Sequence, residues 1–118
     1  MGIRNQIQDN INKTLHELRR VERVEQYIAD NLQTDLSAAT VAAKFELSVS
    51  SLQHLFKRHQ QQTYQHYLQD IRIAKAFELV KEGKRIKEIM YATGYKYRTT
   101  FNKAFKKKLK HPPGYFKE

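Results

Sequence analysis

The sequence contains no cysteine and no tryptophan. Without cysteine there is no disulfide, no thiolate metal site and no cysteine nucleophile, a pattern compatible with a cytosolic setting. No run of 18 apolar residues occurs, which excludes a membrane-spanning helix of ordinary length. The opening residues Met1-Gly2-Ile3-Arg4-Asn5-Gln6 lack the apolar core of a secretory signal. No basic segment combines a broad apolar face with an interfacial Trp, which argues against a membrane partner. Proline is confined to Pro112-Pro113 and there are only four glycines, so nearly the whole chain can be helical. No segment alternates apolar and polar residues with period two, and no sheet is expected.

Acidic residues are almost missing from one region. Residues 84–118 carry 11 Lys/Arg and 2 Asp/Glu, a net of +9, whereas residues 1–83 carry 11 and 10, a net of +1. Together these give the overall +10. So one-sided a field favours a polyanionic partner, nucleic acid before anionic lipid. At 118 residues the chain fits one domain, or two small ones sharing a core. Either half alone would be marginal.

The apolar pattern is helical throughout. Ile3, Ile7, Ile11, Leu15 and Leu18 make a narrow stripe on one helix face, continued by Val21, Val24, Ile28 and Leu32. One long helix, or two nearly collinear ones, is predicted over about 3–32. The first part of the stripe suits a linker or a self-association surface, and the second suits domain core. Ser37 is the expected N-cap of a short helix over 38–44, with Val41, Ala42 and Ala43 inward. Ser48 is the expected cap of a helix over 49–59, with Leu52, Leu55, Phe56 and His59 on its inner face. Thr63 should cap a longer helix over 64–82, with Tyr64, Tyr67, Leu68, Ile71, Ala74 and Leu79 inward and Gly83 at its end. A short helix over 86–93 buries Ile86, Ile89 and Met90, and Gly94 supplies the turn. A last helix over 98–109 buries Phe101, Phe105 and Leu109, stopped by Pro112-Pro113-Gly114, with Tyr115-Phe116 folding back.

Part of this pattern occurs twice. Leu52-Gln53-His54-Leu55-Phe56-Lys57 recurs as Phe101-Asn102-Lys103-Ala104-Phe105-Lys106. Each copy follows a short helical segment and a turn, and the second turn is one residue longer. An inward pair, a turn, then two anchors four residues apart followed by lysine is a repeated helix-turn-helix unit.

These residues resemble the DNA-binding domain of the AraC/XylS family of bacterial transcription regulators over about residues 21–117. The matching positions are Leu36, Ala42, Ser48, Leu52, Phe56-Lys57, Tyr67, Arg72 and Ala76. In the second half they are Ile86, Ile89, Gly94-Tyr95, Phe101, Phe105-Lys106, Pro113 and Tyr115. The resemblance implies an all-α fold of about seven helices. Two homeodomain-like helix-turn-helix subdomains (about 37–59 and 86–109) would be joined by a long central helix (about 64–82). Residues 1–20 would form an amphipathic helix ahead of the domain at 21–118. The chain departs from the family at four places. Gln61 and Lys110 stand where glycine usually follows a recognition helix, Met90 stands for alanine, and Lys96-Tyr97 replaces the usual Ser/Asp capping pair.

A recognition helix buries one face and offers the other to base edges. In the first unit that face is Ser50, Gln53, His54 and Lys57. Gln53 is suited to adenine and His54 to guanine or phosphate. In the second unit it is Arg98, Thr99, Asn102 and Lys103, with Arg98 suited to guanine and Asn102 to adenine. Candidates for phosphate are Ser37, Ser48, Arg58, Lys84, Arg85, Lys106, Lys107, Lys108 and Lys110. Arg72 is expected to tie the two halves together. Tyr64, Tyr67, Tyr91, Tyr95 and Tyr97 are expected in the core or at its rim rather than stacked on single-stranded bases. His16, His54, His59, His66 and His111 form no metal-ligand pattern, and no nucleophile, carboxylate pair or phosphate loop is placed for catalysis.

The expected function is therefore a sequence-specific regulator of transcription on double-stranded DNA. It would need no cofactor and would act as an activator in the bacterial cytoplasm, in association with the nucleoid and with RNA polymerase as a further partner. The alternative is a protein-interaction module that holds RNA polymerase or another regulator through Ile3–Leu18, with weak DNA affinity.

Overall fold

The computed structural model describes residues 2–117, so Met1 and Glu118, the outermost residues of the two expected domain spans, lie outside the described residues. Six α-helices follow one another: α1 Ile3–Asp30, α2 Ala38–Lys44, α3 Val49–Gln60, α4 Tyr64–Lys81, α5 Ile86–Thr93 and α6 Arg98–Leu109. A 3-10 turn follows at Pro113–Phe116. No strand occurs among the described residues. The N-terminal region is one unbroken helix of 28 residues rather than two.

Side chains set three of the helix starts. Ser37 Oγ accepts the Thr40 backbone N–H, Ser48 Oγ accepts that of Ser51, and Thr63 Oγ1 accepts that of His66. Each satisfies one of the donors that a helix N-terminus leaves unpaired. No side chain caps α5 at Arg85 or α6 at Tyr97.

Two cores form, one per unit. The first gathers Val24, Ile28, Leu32, Leu36, Val41, Ala42, Leu52, Phe56, Tyr64 and Leu68. The second gathers Ile73, Ala76, Val80, Ile89, Phe101, Ala104 and Phe105, with Phe77 and Phe116 packed against it. The anchors Leu52 and Phe56 and their counterparts Phe101 and Phe105 are all fully buried. Phe116 returns onto Phe77 and Phe105 with ring centroids 5.2 and 5.9 Å apart. Tyr115 stays exposed and stacks on His111.

Helix α4 contributes to both cores, and this corrects the expected burial pattern. Ala74 is exposed, while Ile73, Ala76 and Val80 are buried. Ile73 lies about two and a half turns beyond Tyr64, so the helix turns roughly opposite faces to the two cores. A single stripe read from Tyr64 onward cannot capture that. Ala43 is likewise exposed, because the inner face of α2 is set by Val41 and Ala42 with Ala38 behind them.

Tyr64 locks the first core to its loop. Its hydroxyl donates to the Leu36 carbonyl at 2.7 Å, and burial pushes the phenol pKa up to about 12. In the second unit the buried Thr93 hydroxyl donates to the Ile89 carbonyl at 2.7 Å. It is thereby paired inside its own helix.

Candidate nucleic-acid interface

The two units present equivalent surfaces. On α3, Ser50, His54 and Lys57 are exposed beside the buried anchors. On α6, Arg98, Thr99, Asn102, Lys103 and Lys106 are exposed in the same relation to Phe101 and Phe105. Arg98, Asn102 and Lys106 line one shallow groove with Ile86, Pro113 and Lys117. Lys84, Arg85, Lys107 and Lys110 are exposed as well. The second unit is thus ringed by cations, as its net charge implies.

Other candidate side chains are held by the protein. Gln53 is half-buried: its Oε1 accepts the Tyr64 backbone N–H at 3.1 Å, and its Nε2 donates to Gln65 Oε1 at 2.8 Å. It bridges α3 to the first turn of α4, so its amide is engaged away from the open face. Lys108 Nζ pairs with Asp70 Oδ1 at 2.7 Å, joining α6 to α4. Arg58 Nη1 donates to both carboxylate oxygens of Glu17 at 2.9 Å, and His59 Nε2 meets Glu17 Oε2 at 3.0 Å. These contacts hold the Glu17 carboxyl below its ordinary range, the His59 hydrogen bond most of all, against an opposing effect of burial. They dock α1 onto α3. A second strap ties α1 to both α3 and α4, where Glu25 accepts from Gln60 at 2.8 Å and from the Tyr67 hydroxyl at 3.0 Å. Burial, with the Glu25 charge adding to it, raises the Tyr67 pKa.

The junction between the units is a cleft lined by Ser37, Tyr64, Gln65, Arg72, Gly94 and Lys96, among others. Arg72 therefore stands where both halves meet, and its buried Nε has no hydrogen-bond partner. A Cβ on Gly94 would collide with the Leu32 carbonyl oxygen. The turn of the second unit and the end of the first thus approach too closely for any side chain there. Of the tyrosines, Tyr64 is buried, Tyr67 and Tyr95 are half-buried, and Tyr91 and Tyr97 are exposed.

One set of basic side chains escapes a reading centred on the repeat. Lys13, His16 and Arg20 of α1 share a groove with His54, Leu55 and Arg58 of α3. Their spacing of three and four residues was the available signal, since it puts them on one helix face. Among the described residues no cluster of metal-ligating side chains occurs. No described helix is long and apolar enough to cross a membrane.

A family model described as a helix-turn-helix domain matches residues 41–118. The chain belongs to the AraC-type helix-turn-helix family. The AraC-type chain is 34% identical over 95 residues to an uncharacterized HTH-type transcriptional regulator, YfiF, of Bacillus subtilis (strain 168). The match covers 80% of this chain and 30% of that relative's length. Among solved structures it is similar to the C-terminal domain of AraT, a response regulator from Geobacillus stearothermophilus, with 31% identity and a TM-score of 0.77 over 82% of each chain. It also shares its fold with a transcriptional regulator from Chromobacterium violaceum, described as containing an AraC-type DNA-binding domain. That match has a TM-score of 0.76 and 19% identity, over 86% of this chain and 92% of the other. Membership places the AraC-type chain among DNA-binding transcription-regulator domains rather than among enzymes.

Proposed function

We propose that this AraC-type chain reads double-stranded DNA sequence-specifically, with α3 and α6 entering successive major grooves, and that it activates transcription. The observation that carries the reading is the paired presentation of polar residues beside buried anchors. One unit offers Ser50, His54 and Lys57, and the other offers Arg98, Thr99, Asn102 and Lys103. Base edges are read by such side chains, whereas phosphates fix register. Arg98 has the planar fork that suits guanine O6 and N7, and Asn102 the amide that suits adenine N6 and N7.

Gln53 enters this reading differently from its neighbours. Its amide would have to leave Tyr64 and Gln65 before it could meet a base, so His54 and Ser50 carry more of the first unit's readout. Lys84, Arg85, Lys106, Lys107 and Lys110 serve phosphates, and so do Ser37 and Ser48 through the helix starts they cap. Arg58 and Lys108 join them only by giving up Glu17 and Asp70. A regulator of this kind works on the nucleoid in a bacterial cytoplasm and meets RNA polymerase there.

Selecting duplexes from a random pool, then comparing the winner with a scrambled duplex at fixed salt, tests the reading. At least a hundredfold preference for the selected sequence is expected, and equal affinity would overturn it. Asn102→Ala should lower that ratio, because it removes a base contact.

A further inference from the structure

We propose that α1 gives the first unit a phosphate-binding edge. The face carrying Lys13, His16 and Arg20 lies along the sugar-phosphate backbone that borders the major groove entered by α3. This rests on the DNA-reading mode proposed above and adds to it residues from outside both helix-turn-helix units.

Lys13, His16 and Arg20 recur at spacings of three and four, so they share one side of α1. That side forms one wall of a groove whose other wall is α3, with His54 and Arg58 facing it and Leu47 and Leu55 also lining it. His54 belongs both to this groove and to the open face of α3. The groove therefore opens directly beside the surface that would meet base edges. A helix seated in a major groove about 12 Å wide has a row of phosphates on either side. The basic wall of α1 stands where one of those rows would pass.

The charges are free for this role. Among the described residues no ion pair engages Lys13 or Arg20. Glu17, the carboxylate lining the groove, is matched by Arg58 at 2.9 Å and His59 at 3.0 Å. Its charge is thereby offset where a phosphate would approach, and the basic run ends only at Asp9, one turn before Lys13. The same contacts hold α1 against α3, so Lys13 and Arg20 keep a set position relative to the recognition helix. Contacts from such a fixed wall set register on the duplex. The first unit needs them, because Arg58 on α3 is spent on Glu17 and Lys57 is left as its one exposed cation outside an ion pair. An acidic protein would meet the same charges, but seated against His54 it would block the reading face. Continuity with that face therefore favours DNA.

Salt titration of duplex binding tests the edge. Lys13→Gln with Arg20→Gln should lower the salt dependence of affinity by about two counterions, on selected and scrambled duplexes alike. Arg4→Gln with Arg19→Gln removes the same charge from other sides of α1 and should leave the slope within about half a counterion of the parent's. Lys13→Gln alone, at an exposed position, should keep the parent's thermal melting and lower the slope by about one. Lys13→Arg with Arg20→Lys should restore the parent's slope. Hydroxyl-radical footprints on the selected duplex should lose protection of deoxyriboses beside the first unit in the double-Gln variant and keep it under α6. A parent slope in Lys13→Gln and in the double-Gln variant overturns the proposal. So does an equal loss in the Arg4/Arg19 variant, which would mean a diffuse field rather than contact. If the parent prefers no sequence, the base-reading proposal fails, while the slopes on any bound duplex still judge the α1 edge.

Discussion

Among the described residues, three with side chains occupy the left-handed backbone region: Glu46 at φ 57°, Gln61 at 54° and Lys110 at 70°. Gln61 and Lys110 are the C-terminal caps of the two recognition helices, where the family usually has glycine. An L-residue there is strained by contact between its Cβ and the backbone, and glycine is not. Gln61→Gly and Lys110→Gly should each therefore stabilise the fold by about 0.5–1 kcal/mol in urea denaturation. Gly94 is the opposite case. It has φ 82° and faces the Leu32 carbonyl without room for a methyl group. Gly94→Ala should cost about 2 kcal/mol or more in the same assay. A destabilised Gln61→Gly variant, or a neutral Gly94→Ala, would contradict this account of the three turns.

At the scale of the elements, the two recognition helices begin differently. Ser48 caps α3 by accepting the Ser51 N–H at 3.0 Å, whereas Tyr97 leads into α6 with no side-chain acceptor. Tyr97 has the extended backbone of an N-cap (φ −120°, ψ 130°) and is mostly exposed. Tyr97→Ser should therefore add about 1 kcal/mol and slow amide exchange in the first turn of α6, and Ser48→Ala should cost a similar amount at α3. Helix positions were legible in the sequence because caps and apolar spacing act locally: Ser37, Ser48 and Thr63 all cap where their types suggest. The inner face of α4 was not legible, because it depends on two cores meeting one helix, as the exposed Ala74 and buried Ile73 show. The open faces of α3 and α6 followed from their anchors. The partners of Gln53, Arg58 and Lys108 lie 11 to 41 residues away along the chain, too far for spacing to reveal.

Across the whole molecule, charge divides the proposed labour. The first unit has few uncommitted cations on its recognition helix, while α6 and its flanks carry Lys103, Lys106, Lys107 and Lys110 exposed together. On the proposed mode of binding, Lys107→Gln and Lys110→Gln should each reduce the salt dependence of DNA affinity by about one counterion. They should weaken selected and scrambled duplexes alike, as measured by titrating salt against binding. An unchanged slope would remove those lysines from the phosphate contacts.

Because α4 lends opposite faces to the two cores, its length is also a phase setting. One residue inserted between Leu68 and Ile73 would turn everything beyond it by about 100° and advance it by about 1.5 Å. The second unit could stay folded around Ile73, Ala76 and Val80 and yet point its recognition helix at a different azimuth. The angular relation between the two units is therefore held as a residue count in one helix. Lineages that lengthen or shorten α4 should do so by near-whole turns, or abandon simultaneous use of both units.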